Sequence, residues 1–199
     1  APFSRIMTGY GKAVKDISSE IAKQGNKVFL ISAYPIRKEY LIDDVCIKGI
    51  DIFTLALNMR LIELFKAVKR YKIHKDLKQI LREIYQDCLF KYLVKDIKRN
   101  KYDIIHIHGA GYFQNKCAFY LSTINSPFLV TLHGIVDIQE NTALEKYKKR
   151  LEKEYIDLSY KNKINTSMVS SGVLEKLLNN YNKKENYYII GNGCVESNS

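Results

Sequence analysis

Short β-branched runs alternate along this chain with stretches of helical period, and that alternation limits the fold more than any single motif. Lys27 to Ser32, Asp103 to His108, Phe128 to Leu132, Thr166 to Val169 and Tyr187 to Ile190 read as strands. So does Cys46 to Thr54, interrupted at Gly49, where a bulge or a hairpin turn is expected. Helical patterns separate them: Lys12 to Gln24, Leu57 to Arg70, Asp76 to Arg99, Gln114 to Thr123, Glu140 to Lys161 and Gly172 to Tyr181. The first ends at Gly25-Asn26, an ordinary helix stop. A strand that must reach a parallel neighbour needs a long crossover, and helices fill it. The pattern therefore predicts an α/β, Rossmann-like domain, its mostly parallel sheet covered by helices on both faces.

The start of the chain does not fit that scheme. Thr8-Gly9-Tyr10-Gly11 reads as a glycine loop opening the first helix, yet Ala1 to Met7 supplies a strand stub at most. In a doubly wound sheet such a loop follows a central first strand. That strand is expected to be missing or cut short. Elsewhere no stretch is rich in Gly, Ser and Pro, so residues 1–199 are expected to form one domain.

Composition excludes several classes. At 46% hydrophobic and 27% charged residues, 199 residues can bury a full core, and no run has the roughly 18–20 apolar residues that span a bilayer. No charged-then-apolar leader opens the sequence, and Cys46, Cys88, Cys117 and Cys194 form no CxxC pair, as in a reduced cytoplasmic protein. The formal charge is +11. It is concentrated between Arg60 and Lys101, where thirteen Lys/Arg face five Asp/Glu. Anionic lipid, nucleic acid, a phosphorylated substrate or plain solvation would each account for it. No nucleic-acid-binding motif accompanies it, and no nucleic-acid partner is expected.

Unusual residues recur where strands end, at the edge where open α/β sheets bind ligands. Gly9, Tyr10 and Gly11 bring backbone N–H groups of a helix start within reach of a phosphate or sugar. The third glycine of a dinucleotide fingerprint is absent, with Val14 in its place. His108 and Gly109 end one strand, His133 and Gly134 the next, and Ser170 and Asn192 close the series. An imidazole at His133 can bond a sugar hydroxyl or a leaving phosphate. His106 and His108 share one face of their strand, and two such rings suit a metal, but no third ligand lies near in sequence. His106 is expected to be buried and structural, His108 to lie at the rim of the cleft, and His74 to be a surface residue.

The ordered series formed by the glycine loop, GNKVFLIS, YDIIHIHG, FLVTLHG, MVSSGVLEKL and YYIIGNG resembles the N-terminal, acceptor-side domain of family 4 glycosyltransferases, retaining enzymes of the GT-B fold. The resemblance covers nearly the whole chain. Thr8 stands where that family has the first glycine of its loop, Gly191 where it has the hinge proline, and Cys194-Val195-Glu196 where the hinge usually ends. What it implies is one half of a two-domain enzyme. The nucleotide-diphosphate sugar, a co-substrate and not a cofactor, would be held mainly by a C-terminal domain that this sequence lacks. The segment matching Gly9–Gly11 would lie near the diphosphate or the acceptor, and the residue matching His133 near the transferred sugar as the catalytic group. No metal is expected, and these 199 residues alone are expected to be inactive.

The activity so implied is transfer of a sugar to a glycan or lipid-linked acceptor in surface-polysaccharide or glycolipid synthesis. Its rivals are a nucleotide-binding oxidoreductase domain and a non-catalytic basic module for membrane or nucleic acid. Leu57 to Arg70 mixes large apolar residues with Arg60, Lys66, Lys69 and Arg70, as an interfacial helix does. Docking on an anionic membrane, peripheral on the inner face of the cell membrane, is expected from it.

Overall fold

The computed structural model describes residues 9–31, 40–49, 77–136, 142–183 and 187–191. The expected helix at Leu57 to Arg70, with Arg60, Lys66, Lys69 and Arg70, falls outside them, as do His74, Asn192, Cys194 and the segment before Gly9. The chain divides into two compact units, residues 1–100 and 101–199.

In the first unit, α1 (Gly9–Lys23) leads into β1 (Val28–Ile31), followed by β2 (Tyr40–Ile42), β3 (Val45–Lys48) and α2 (Leu77–Arg99). The sheet order is β1-β3-β2, with β3 parallel to β1 and antiparallel to β2. Gly25, at φ +85°, ends α1, and a side chain there would be strained. Ala22 of α1 packs with Val45, Ile47, Val28 and Leu30, because alternate strand residues face the helix. The β2–β3 turn is Asp43-Asp44, both at positive φ (46° and 63°). Two left-handed residues make the primed turn whose twist matches paired strands, and aspartate tolerates that region better than most side chains. Lys15 of α1 reaches the Asp43 carboxylate at 3.2 Å. Lys48 and Asp96, both largely buried, pair at 3.3 Å and tie β3 to α2.

The second unit runs β4 (Ile105–His108), α3 (Tyr112–Thr123), β5 (Phe128–Leu132), α4 (Ala143–Asn162), β6 (Thr166–Met168), α5 (Ser171–Tyr181) and β7 (Tyr187–Ile189). Its strands lie in the order β4-β5-β6-β7, all parallel. Each connection crosses to the adjacent strand in the same direction. Right-handed crossovers therefore bring α3, α4 and α5 to one face of this sheet. Leu151, Glu152, Tyr155, Ile156 and Ser159 form the buried stripe of α4. Tyr155, fully buried, meets Thr166 of β6 through its hydroxyl at 2.6 Å. Val130, Leu132, Met168, Leu121 and Leu177 complete the core, each at most 1% exposed. Burying side chains of this size contributes about 1.5–3 kcal/mol each.

The helix ends are set locally. Thr142 and Glu145 form a reciprocal capping box at the start of α4, and Ser170 caps α5 by accepting from the Val173 N–H at 3.3 Å. Lys163 and Asn182 close the same helices in the left-handed region.

The α/β class and the mostly parallel sheet are those the alternation predicts. The five helices among the described residues start up to three residues away from their expected positions. Two features differ. In the second unit α3, α4 and α5 lie on one face of the sheet and not on both, because every crossover runs to the adjacent strand in the same direction. The strand expected from Cys46 begins at Val45 and ends at Lys48, and its hairpin precedes it at Asp43-Asp44. Tyr40 to Ile42 is too short to show a period in sequence. Among the described residues Cys46, Cys88 and Cys117 form no disulfide, and Cys117 is buried.

Candidate active site

Register fixes which side chains meet on the sheet face away from Tyr155. Opposed residues in a parallel ladder point the same way, and each strand alternates. His108 pairs with Thr131, Thr131 with Ser167, and Ser167 with Tyr188. His106 lies two residues before His108 on the same face. A polar row thus crosses three strands at their carboxyl ends.

The row is hydrogen-bonded throughout. His106 Nε2 lies 2.6 Å from Thr131 Oγ1, and Thr131 Oγ1 lies 2.6 Å from Ser167 Oγ. Ser167 also reaches the Val130 carbonyl at 3.4 Å. Thr131 and Ser167 are buried (6% and 0% exposed), so these bonds satisfy groups that would otherwise be costly to desolvate. Beside the row, His108 Nδ1 lies 3.0 Å from His133 Nε2, just past the end of β5. The His106 and His108 rings are 4.0 Å apart between centroids, and those of His108 and His133 5.3 Å.

Burial pushes the His108 pKa down to about 3, with the charges of His106 and His133 as smaller contributors. Burial also lowers the pKa of His133 and, with help from His133, that of His106. The expectation of a buried His106 is corrected here. It is exposed, so solvent softens the effect of desolvation on it, and its tie is to Thr131 and not to the core. Three close imidazoles are accordingly neutral near pH 7. One ring of the His108–His133 pair donates and the other accepts. The outer nitrogen of His133 then has the opposite character to its inner one.

The loops around the pair are built for this edge. Gly109 takes φ +84° and donates its N–H to the Thr131 carbonyl at 2.8 Å, extending the β4–β5 ladder by one bond. Gly134 is exposed, and a Cβ there would meet nothing within 4 Å. Ser170 opens α5 at the same edge of the sheet. His108, Gly109, His133, Gly134 and Ser170 are therefore gathered along the carboxyl ends of β4 to β6. Gly9, Tyr10 and Gly11 belong to the first unit, where they form the first turn of α1 and not a loop before it. Among the described residues no cluster of three or more His, Cys, Asp or Glu side chains is arranged to hold a metal ion.

Sequence reasoning missed Thr131, Ser167 and Glu152. Thr131 sits in a strand segment whose other members are apolar, and that contrast was the available signal; Ser167 follows another hydroxyl residue, Thr166, and carried none. Glu152, 4% exposed, stands on the buried stripe of α4 between Leu151 and Tyr155. A carboxylate on a core-facing stripe is a visible anomaly.

The family model for Glycosyltransferase Family 4 matches residues 7–196. Comparison with curated proteins and with solved structures finds no match. The match spans both units and every described element, including the histidine-bearing strand ends and the Ser170-capped helix. The chain belongs to glycosyltransferase family 4.

Proposed function

We propose that this chain is the acceptor side of a retaining glycosyltransferase. It takes a sugar from a nucleotide-diphosphate sugar and places it on a glycan or lipid-linked acceptor in surface-polysaccharide or glycolipid synthesis. The observation that carries this reading is the neutral His108–His133 pair at the carboxyl ends of β4 and β5. A neutral imidazole can bond a sugar hydroxyl or phosphate oxygen without a counter-charge. The tautomer of the pair decides whether His133 donates or accepts. In this reading Gly9, Tyr10 and Gly11 place the N–H groups of a helix start near the diphosphate, a use to which helix starts are suited. His108, Gly109, Gly134, Ser170 and Asn192 border the acceptor. The donor is held by a second α/β domain, and protein groups neutralise the leaving diphosphate.

No described helix is long and apolar enough to cross a membrane. Peripheral docking through Arg60, Lys66, Lys69 and Arg70 on the anionic inner face of the cell membrane would bring the site to lipid-linked acceptors.

A transfer assay on the whole enzyme tests the reading. It uses a panel of uridine- and guanosine-diphosphate sugars with lipid-linked and glycan acceptors, and proton NMR of the product's anomeric centre. Transfer with retained configuration, impaired by His133→Ala, is the expected result. Dinucleotide binding with hydride transfer and no sugar transfer would assign an oxidoreductase instead.

A further inference from the structure

Three residues beyond His133, the backbone of Val136 is gripped from two helices. Its N–H donates to Glu152 Oε2 of α4 at 2.8 Å. Its carbonyl accepts from Asn180 Nδ2 of α5 at 3.5 Å. The other carboxylate oxygen, Oε1, accepts from the Tyr181 hydroxyl of α5 at 2.7 Å. Glu152 thus joins the segment after β5 to both helices that flank β6. Ile135, between the two ends of the segment, is buried at 8% exposure.

This arrangement is costly unless it does something. Burial raises the Glu152 pKa, and the Tyr181 and Val136 hydrogen bonds, with the charges of Lys149 and Lys176, only partly offset that. A leucine would fill the same stripe of α4 without desolvating a charge. What a leucine could not do is hold a backbone N–H three residues from the cleft imidazole. An acid with two oxygens holds the loop and the helix at once.

We infer that Glu152 is a positioning residue: by clamping Val136 against α4 and α5 it fixes the path of residues 133–136 and with it the orientation of the His133 imidazole against His108. The inference rests on the transferase reading only for what His133 does in the cleft. The orientation itself can be observed without any substrate.

The experiment is NMR of the protein, following Val136 amide exchange and the pH titration and tautomer of the His133 ring. In Glu152→Ala the Val136 amide should exchange at least about tenfold faster, because its acceptor is gone. The His133 pKa should move up toward 6.5 as the loosened ring gains solvent. The sign separates positioning from electrostatics, since removing a negative charge would by itself lower a histidine pKa. Glu152→Gln should restore both signals: its amide oxygen accepts from Val136 and its NH₂ donates to the Tyr181 oxygen. A folded Glu152→Ala protein whose His133 pKa is unchanged or lowered overturns the inference, whatever its transfer activity. Should Glu152→Ala fail to fold, Tyr181→Phe keeps the carboxylate and removes one of its donors. A rise in the His133 pKa with faster Val136 exchange then supports the inference, and unchanged values overturn it. Loss of sugar transfer in a variant with wild-type His133 signals counts against the clamp and leaves the transferase reading standing.

Discussion

His108 Nδ1 and His133 Nε2 share one hydrogen bond of 3.0 Å across the carboxyl ends of β4 and β5. Two imidazoles joined in this way cannot both be donors at that contact. Protonating either ring places a cation beside its neighbour in a desolvated site. The site is therefore tuned to neutral imidazole, and its behaviour should follow from that.

His133→Ala in the whole enzyme should lower kcat more than it raises the acceptor KM. A positioned acid–base or hydrogen-bonding group contributes about 10²- to 10⁴-fold. His133 is only half-buried, so the urea midpoint should change little. Steady-state kinetics with urea unfolding checks both. A variant that unfolds while a Gly9 substitution is harmless would make His133 a structural residue.

Stability should fall as pH drops from 7 toward 4. His106, His108 and His133 all have folded pKa values below the ordinary 6.5, with His108 near 3. Between those values the unfolded chain binds more protons than the folded one. The stability gained from neutral rings is thus full above 6.5 and lost as pH falls through the window. Glu152 acts in the opposite sense. Its raised pKa gives a contribution present below 4.5 and lost as pH rises through the folded value. Urea unfolding across this range should show the histidine slope, and His108→Asn should flatten it; an unchanged slope would locate the titration elsewhere.

Gly109 and Gly134 should respond differently to alanine. Gly109 sits at φ +84°, where a Cβ costs about 1–2 kcal/mol. At Gly134 there is open space around the position of a Cβ. Gly109→Ala should lower the unfolding free energy by about that amount and Gly134→Ala by less than about 0.5 kcal/mol. Equal effects would contradict the backbone geometry of the β4 end.

Tyr155→Phe tests the opposite face of the sheet. The Thr166 hydroxyl reaches the Ile164 carbonyl at 3.2 Å, leaving its oxygen to accept from Tyr155 at 2.6 Å. Removing the phenol leaves a buried acceptor without that donor, at a cost of about 1–3 kcal/mol. Chemical denaturation measures it, and a neutral substitution would show that the bond adds nothing net.

Membrane docking is decided by vesicle co-sedimentation. Binding should need anionic lipid, weaken with salt, and drop when Lys66, Lys69 and Arg70 become glutamine. Polybasic attraction is worth about 1 kcal/mol per engaged Lys or Arg. Equal binding to neutral vesicles, or none, would remove the membrane from the proposal.

The sequence by itself determined the α/β class, the order of the elements and the edge at which ligands are expected. Period is a local property: Phe128 to Leu132 is β-branched and apolar wherever it packs, and Leu151, Tyr155 and Ile156 recur at helical spacing in any context. It also placed His108 and His133 at strand ends, because both directly precede glycine. Only the tertiary structure decided that they touch. They lie 25 residues apart, and the β4–β5 register, set by the pairing of Ile107 with Val130, brings one to the other. The same holds for Thr131 and Ser167, which read as ordinary strand residues until two ladders align them with His106. Tyr40 to Ile42 became a strand through pairing with Val45 to Ile47, since three residues carry too little pattern to declare one alone. Glu152 was visible as an acid on an apolar stripe. Its partners at Val136 and Tyr181, 16 and 29 residues away, exist only because the crossovers on either side of β6 bring α4 and α5 to the same face of the sheet, beside the segment after β5.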